Sequence, residues 1–121
     1  MQERPEYITI AGQQVPLWCD LFVLNEIQEK YGDVSVFERK LLGMPDNAKK
    51  GEPVEWKKAD IGTILFILPL MIKEGYKKEE MLEGCAMSHT SVDEIMVDVE
   101  FSGLLAIKIY NAYRRCFESK K

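Results

Sequence analysis

Tyr7-Ile8-Thr9-Ile10-Ala11-Gly12-Gln13-Gln14-Val15-Pro16-Leu17-Trp18 is the stretch whose reading decides the fold class. Tyr7–Ile10 and Val15–Trp18 alternate with period two around Ala11 to Gln14, the pattern of a β-hairpin. Pairing Ile10 with Val15 sets Ile8 opposite Leu17 and Thr9 opposite Pro16. One face then carries Ile8, Ile10, Val15 and Leu17, an apolar surface for helices to cover. Pro16 has no N–H to donate, so its pair must be a non-hydrogen-bonded one. The expectation drawn from this is a four-residue loop in preference to a two-residue turn.

Outward from the hairpin the pattern turns helical. Asp20 is a candidate N-cap for a helix ending at Tyr31, with Leu21, Leu24, Ile27 and Tyr31 on one face and Gly32 as the stop. Ser35-Val36-Phe37-Glu38 has the form of a capping box and opens a short helix ending at Gly43. Residues 44–55 carry two prolines and a glycine and read as a polar, flexible loop. An apolar helix follows from Lys57 or Asp60 to Glu74, kinked or ended by Pro69 and stopped by Gly75. A short amphipathic helix over Lys77 to Ala86 then places Met81, Leu82 and Cys85 inward. Ser91-Val92-Asp93-Glu94 is a second capping box, opening a long helix over roughly 92–118. Val92, Met96, Val99, Gly103, Ala106, Tyr110, Tyr113 and Phe117 form its stripe. The expected fold is mainly α with a small N-terminal β-hairpin (α+β), four to five helices and a long C-terminal one. It forms a single domain over 1–121: the hairpin at 7–18, a helical body at 20–118 and the loop at 44–55.

The chain's 121 residues are 46% hydrophobic and 30% charged, enough to bury a core without disulfides or metal. The net charge of −4, with Lys and Arg spread along the chain, argues against a nucleic-acid partner. Cys19, Cys85 and Cys116 are odd in number and far apart, which disfavours a disulfide framework and suits a reducing cytoplasm. The N-terminus lacks the order of a signal peptide. The apolar run Ile61 to Ile72 is too short to span a bilayer, so no membrane role is expected.

Few residues suggest chemistry. His89 is the only histidine, and with Cys85 it offers two zinc ligands where a site needs more. A solvated loop histidine beside a buried cysteine is the favoured reading over a Cys/His nucleophile pair. Glu26, Glu29 and Lys30, like Lys77 to Glu80, fall at helical spacings as solvated faces. Lys49-Lys50 and Lys57-Lys58 read as a solvated edge. No catalytic, metal or cofactor site is expected. For binding a partner, Trp18 and Trp56 stand at element junctions, each more naturally a lid on the core than an anchor. Val97, Phe101 and Leu104 lie off the last helix's stripe. They are core if that helix is covered on two sides and a docking face if it is not.

The order of these features resembles a known family. It begins with Ile8-x-Ile10-x-Gly12 and Pro16-Leu17, then Asp20-Leu21-x-x-Leu24-x-Glu26-Ile27-x-Glu29-Lys30-Tyr31-Gly32. A short helix over Ser35 to Leu42, an apolar helix ending in Glu74-Gly75-Tyr76, the Lys/Glu-rich Lys77 to Leu82 and a terminal helix with aromatics follow. In outline nearly the whole chain is similar to the tail assembly chaperones of long-tailed bacteriophages and prophages. Residues 7–43 carry the specific part, and the loop 44–55 is longer and more polar than the family pattern.

The resemblance implies a non-enzymatic protein that binds the tape-measure protein and unassembled major tail-tube subunits. It implies work in the cytoplasm of the bacterial host and absence from the mature virion. It also implies a longer frameshifted product, for which Lys120-Lys121 is a candidate slippery codon pair. Self-association is left open. A structural or adaptor tail component or a generic helical interaction module is the alternative, and a thiol enzyme acting through Cys85 a third reading.

Overall fold

The computed structural model describes residues 4–44, 55–86 and 88–118. It has an antiparallel hairpin, β1 (Glu6–Ile10) and β2 (Gln13–Leu17), followed by five helices. These are α1 (Leu21–Tyr31), α2 (Val34–Leu42), α3 (Ile61–Glu83), α4 (Val92–Val97) and α5 (Gly103–Arg115), with a single 3₁₀ turn at Trp56–Lys58 before α3. The architecture is the expected one, mainly α with a small N-terminal hairpin.

The hairpin closes on a two-residue turn, and the expected four-residue loop is wrong. Ala11 (φ 51°) and Gly12 (φ 79°) both take positive φ, as a primed turn requires. Ile8 pairs with Val15, Thr9 with Gln14 and Tyr7 with Pro16. Counting outward from the turn, Tyr7–Pro16 is a non-hydrogen-bonded pair. The proline constraint is therefore met in both registers, which differ by two residues and keep the same side chains on each face. Ile8, Ile10, Val15 and Leu17 are all buried, as the alternation predicts.

Most helix ends sit where short-range chemistry puts them. The Asp20 carboxylate accepts from the Val23 N–H at 3.1 Å, and the Gly32 N–H closes α1 on the Gln28 carbonyl at 2.8 Å. The buried face of α1 is Val23 and Ile27, with Leu24 and Tyr31 half-buried. Leu21 is 78% exposed, a correction, because it lies about 200° round the helix from Val23. α2 is capped by Asp33, whose carboxylate accepts from the Ser35 N–H at 2.9 Å, and not by the expected Ser35–Glu38 box. Glu38 is thus left to accept from the Tyr113 hydroxyl at 2.5 Å. The loop expected over 44–55 lies, except for its first and last residues, outside the described residues.

α3 is the largest departure. It runs unbroken for 23 residues through Pro69 and Gly75, merging two helices that the sequence divides at Gly75. Pro69 removes only the N–H that would reach the Leu65 carbonyl, and Leu65 is solvent-exposed, so water can take that place. Gly75 is not a stop but a point of close approach. A Cβ there would fall against the Pro16 carbonyl oxygen and 2.6 Å from its carbon. Continuing the phase of Gly75 turns Glu79 and Leu82 inward, so Met81 and Cys85 are exposed, against expectation.

The long last helix is two helices. Residues 98–102 separate α4 from α5, and Ser102, in extended conformation, caps α5 through the Leu105 N–H at 3.1 Å. Of the capping box expected at Ser91 one half forms, the Ser91 hydroxyl accepting from the Glu94 N–H at 3.2 Å, so Ser91 is the N-cap of α4. The break lets Ile95 of α4 and Leu105, Ile109 and Tyr113 of α5 all reach the core. A single helix with the expected stripe would leave the first three of these off it.

The core draws on every element. Val15, Leu17, Val23, Ile27, Phe37, Leu41, Ile67, Leu68, Met71, Ile72, Ile109 and Tyr113 are fully buried. Tyr113 packs its ring 5.1 Å from both Phe37 and Phe117, joining α5 to α2. Buried Thr63 is satisfied by Asp60 at 2.8 Å and by the Tyr31 hydroxyl at 3.0 Å. Among the described residues no helix is long and apolar enough to cross a membrane.

Candidate functional site

The hairpin is held differently along its two edges. On the β2 side, α3 lies close: the Trp18 N–H donates to the Met71 carbonyl at 3.1 Å, and Pro16 abuts Gly75. On the β1 side a groove of about 710 Å³ opens. Its floor is five consecutive residues, Tyr7 to Ala11, and its far wall is the α4–α5 connection and the first turns of α5. Because consecutive residues line it, the groove follows the β1 backbone, and it reaches Gln14 of β2 across from Thr9. Phe101, Leu104 and Leu105 make the apolar wall; Asp98 and Glu100 stand on the connection and Lys108 on α5.

Two of the five partner-binding candidates meet here. Phe101 is 43% and Leu104 64% exposed, both turned into the groove. Val97, 84% exposed at the end of α4, lies one residue before the wall. The two tryptophans are elsewhere. Trp18 is half-buried, with the Lys78 ammonium 4.7 Å and the Arg115 guanidinium 5.5 Å from its ring. Trp56 is half-buried against Tyr110, ring centres 5.8 Å apart, behind the first turn of α5. Sequence reasoning gave the hairpin only a core role and missed Tyr7 and Thr9. The available signal was that Pro16 marks β2 as protected, whereas β1 after Glu6 has no proline or lysine guarding its edge.

Several groups, Tyr7 of the groove floor among them, have environments that set their chemistry. Tyr7 donates to the Glu79 carboxylate at 2.6 Å, and burial together with that bond pushes its phenol up to about 12. Burial first, then the bond to Glu38, raises Tyr113 far above the tyrosine range. Burial, with Cys116 beside it, holds the Cys19 thiol protonated well above its usual range. Cys85 is exposed, so the expected buried cysteine next to His89 is not present. His89 is also exposed. Its ring stacks on Tyr76 at 3.7 Å, and Nδ1 lies 2.8 Å from the Thr90 carbonyl. Among the described residues no group of three metal-capable side chains converges. No protein-family model, curated protein or solved structure matches this chain.

Proposed function

We propose that this chain is a tail assembly chaperone of a long-tailed phage or prophage. On this reading it binds the tape-measure protein and unassembled tail-tube subunits in the host cytoplasm, without catalysis, and leaves before the virion is complete. The resemblance of residues 7–43 supplies the family. The observation that carries the binding role is the exposure of Val97, Phe101 and Leu104 beside a groove. Apolar side chains clustered at a groove are a feature of surfaces that associate. A modest patch suits a transient coat, since weak contacts repeated along a rod gain strength by multivalency and are still undone one at a time.

The test is co-expression with the tape-measure and tail-tube proteins encoded beside this gene, followed by affinity capture. Capture of either supports the reading; capture of neither sinks it. Phe101→Asp and Leu104→Glu should weaken capture by about tenfold or more while leaving the far-ultraviolet circular dichroism unchanged, because both side chains are already exposed. Mass spectrometry of purified particles separates a chaperone, which is absent from them, from an adaptor that stays.

A further inference from the structure

The groove beside β1 is more than apolar. Alternation from the Ala11-Gly12 turn directs the backbone groups of Ile8 and Ile10 to β2, and those of Tyr7 and Thr9 away from it. No backbone hydrogen bond among the described residues takes up these outward groups. The groove floor is thus a short strand edge, about 17 Å long and facing an apolar wall, whose outward donors and acceptors pair with no described backbone group. Asp98 and Glu100 form no ion pair among the described residues, and the one lysine lining the groove is Lys108, so its lining is net acidic.

We propose that the groove takes an extended segment of an unassembled tail protein as an added antiparallel or parallel strand on β1. The segment alternates apolar residues with at least one Lys or Arg. Its backbone pairs with Tyr7 and Thr9, alternate apolar side chains meet Phe101, Leu104 and Leu105, and its cation faces Asp98 and Glu100. This is strand addition at an open sheet edge, where the backbone supplies affinity and the wall supplies selectivity. A second copy of this chain is a poor occupant, because a hairpin approaching edge to edge would bring its own 98–102 wall into the same space. The inference rests on the chaperone reading for the source of the segment, and it adds the surface and the mode of binding.

Thr9→Pro is the sharpest variant. Its N–H points out of the hairpin, so proline removes a donor to the groove and leaves the β1–β2 ladder whole. Short overlapping synthetic peptides tiling the tape-measure and tail-tube proteins are the probes, with both full-length proteins captured in parallel. Binding peptides should be of alternating apolar and basic type, should weaken as salt is raised, and should lose about tenfold in affinity to Thr9→Pro but little to Thr9→Ala. Independently of any variant, amide exchange at Tyr7 and Thr9 should slow about tenfold or more in the complex. Equal binding by Thr9→Pro, or unchanged exchange at these amides in a complex that forms, overturns strand addition and leaves the chaperone reading standing. Capture of full-length proteins with no peptide bound overturns it in the same way. Protection of the same amides in the free protein as its concentration rises overturns it in favour of a second copy. If neither full-length protein is captured, the chaperone reading fails and the proposed source falls with it.

Discussion

β2 and β1 belong to one two-stranded sheet, yet their outer edges have opposite fates. β2 carries Pro16, which has no N–H to offer, and lies so close to α3 that only glycine fits at position 75. β1 carries Tyr7 and Thr9, with donors intact, and faces a groove. A lone hairpin has two edges to manage. Here one is closed by proline, glycine and a helix, and the other is left unpaired among the described residues. The difference separates an edge that is used up in holding the fold from one whose outward groups no described residue takes up.

Gly75→Ala should break the closed edge with the largest effect. In an ordinary helix interior, alanine stabilises relative to glycine by about 1 kcal/mol. Here the methyl group meets the Pro16 backbone, and the expected result is a net loss of about 3 kcal/mol, read by urea denaturation. Alkaline pH loosens the hairpin next. The neutral Tyr7 phenol donates to Glu79, and its folded value is pushed up to about 12 from the usual 10. The folded state then holds the proton more tightly, so this contribution is complete below pH about 10 and is lost as pH climbs toward 12. Tyr7→Phe should reduce the fall in melting temperature across that window. Ala11→Asn sharpens the open side with the smallest effect. Asn tolerates the left-handed conformation at φ 51° better than alanine and creates an Asn-Gly turn. It should stabilise by about 0.5 to 1 kcal/mol in thermal melts and leave capture of partners unchanged.

Short-range chemistry was legible in the sequence. Asp20, Gly32, Gly43, Asp60 and Ser91 bound their helices because caps act within a few residues. What failed was set by distant partners. Gly75 looks like a helix stop until Pro16 is seen pressed against it. The stripe from Val92 to Phe117 suggests one helix, but burial of Ile95 and Leu105 together, with Ser102 as a cap, favours two. At the site, Phe101 and Leu104 could be picked out as apolar residues off the stripe. The β1 floor facing them could not, because which hairpin edge stays open depends on where α3 and α5 lie, and periodicity carries no such information.

α3 is continuous in shape but not in its ladder of bonds, for Pro69 leaves one rung missing. The N-terminal half is clasped by α1 and α2 through Tyr31 and Phe66, ring centres 5.8 Å apart, and through the Asp60 N–H to the Lys40 carbonyl at 2.9 Å. The C-terminal half carries the hairpin. Fraying that starts at Gly84 therefore reaches an interruption before it reaches the clasp, and the segment under the hairpin can loosen while the remainder stays wound.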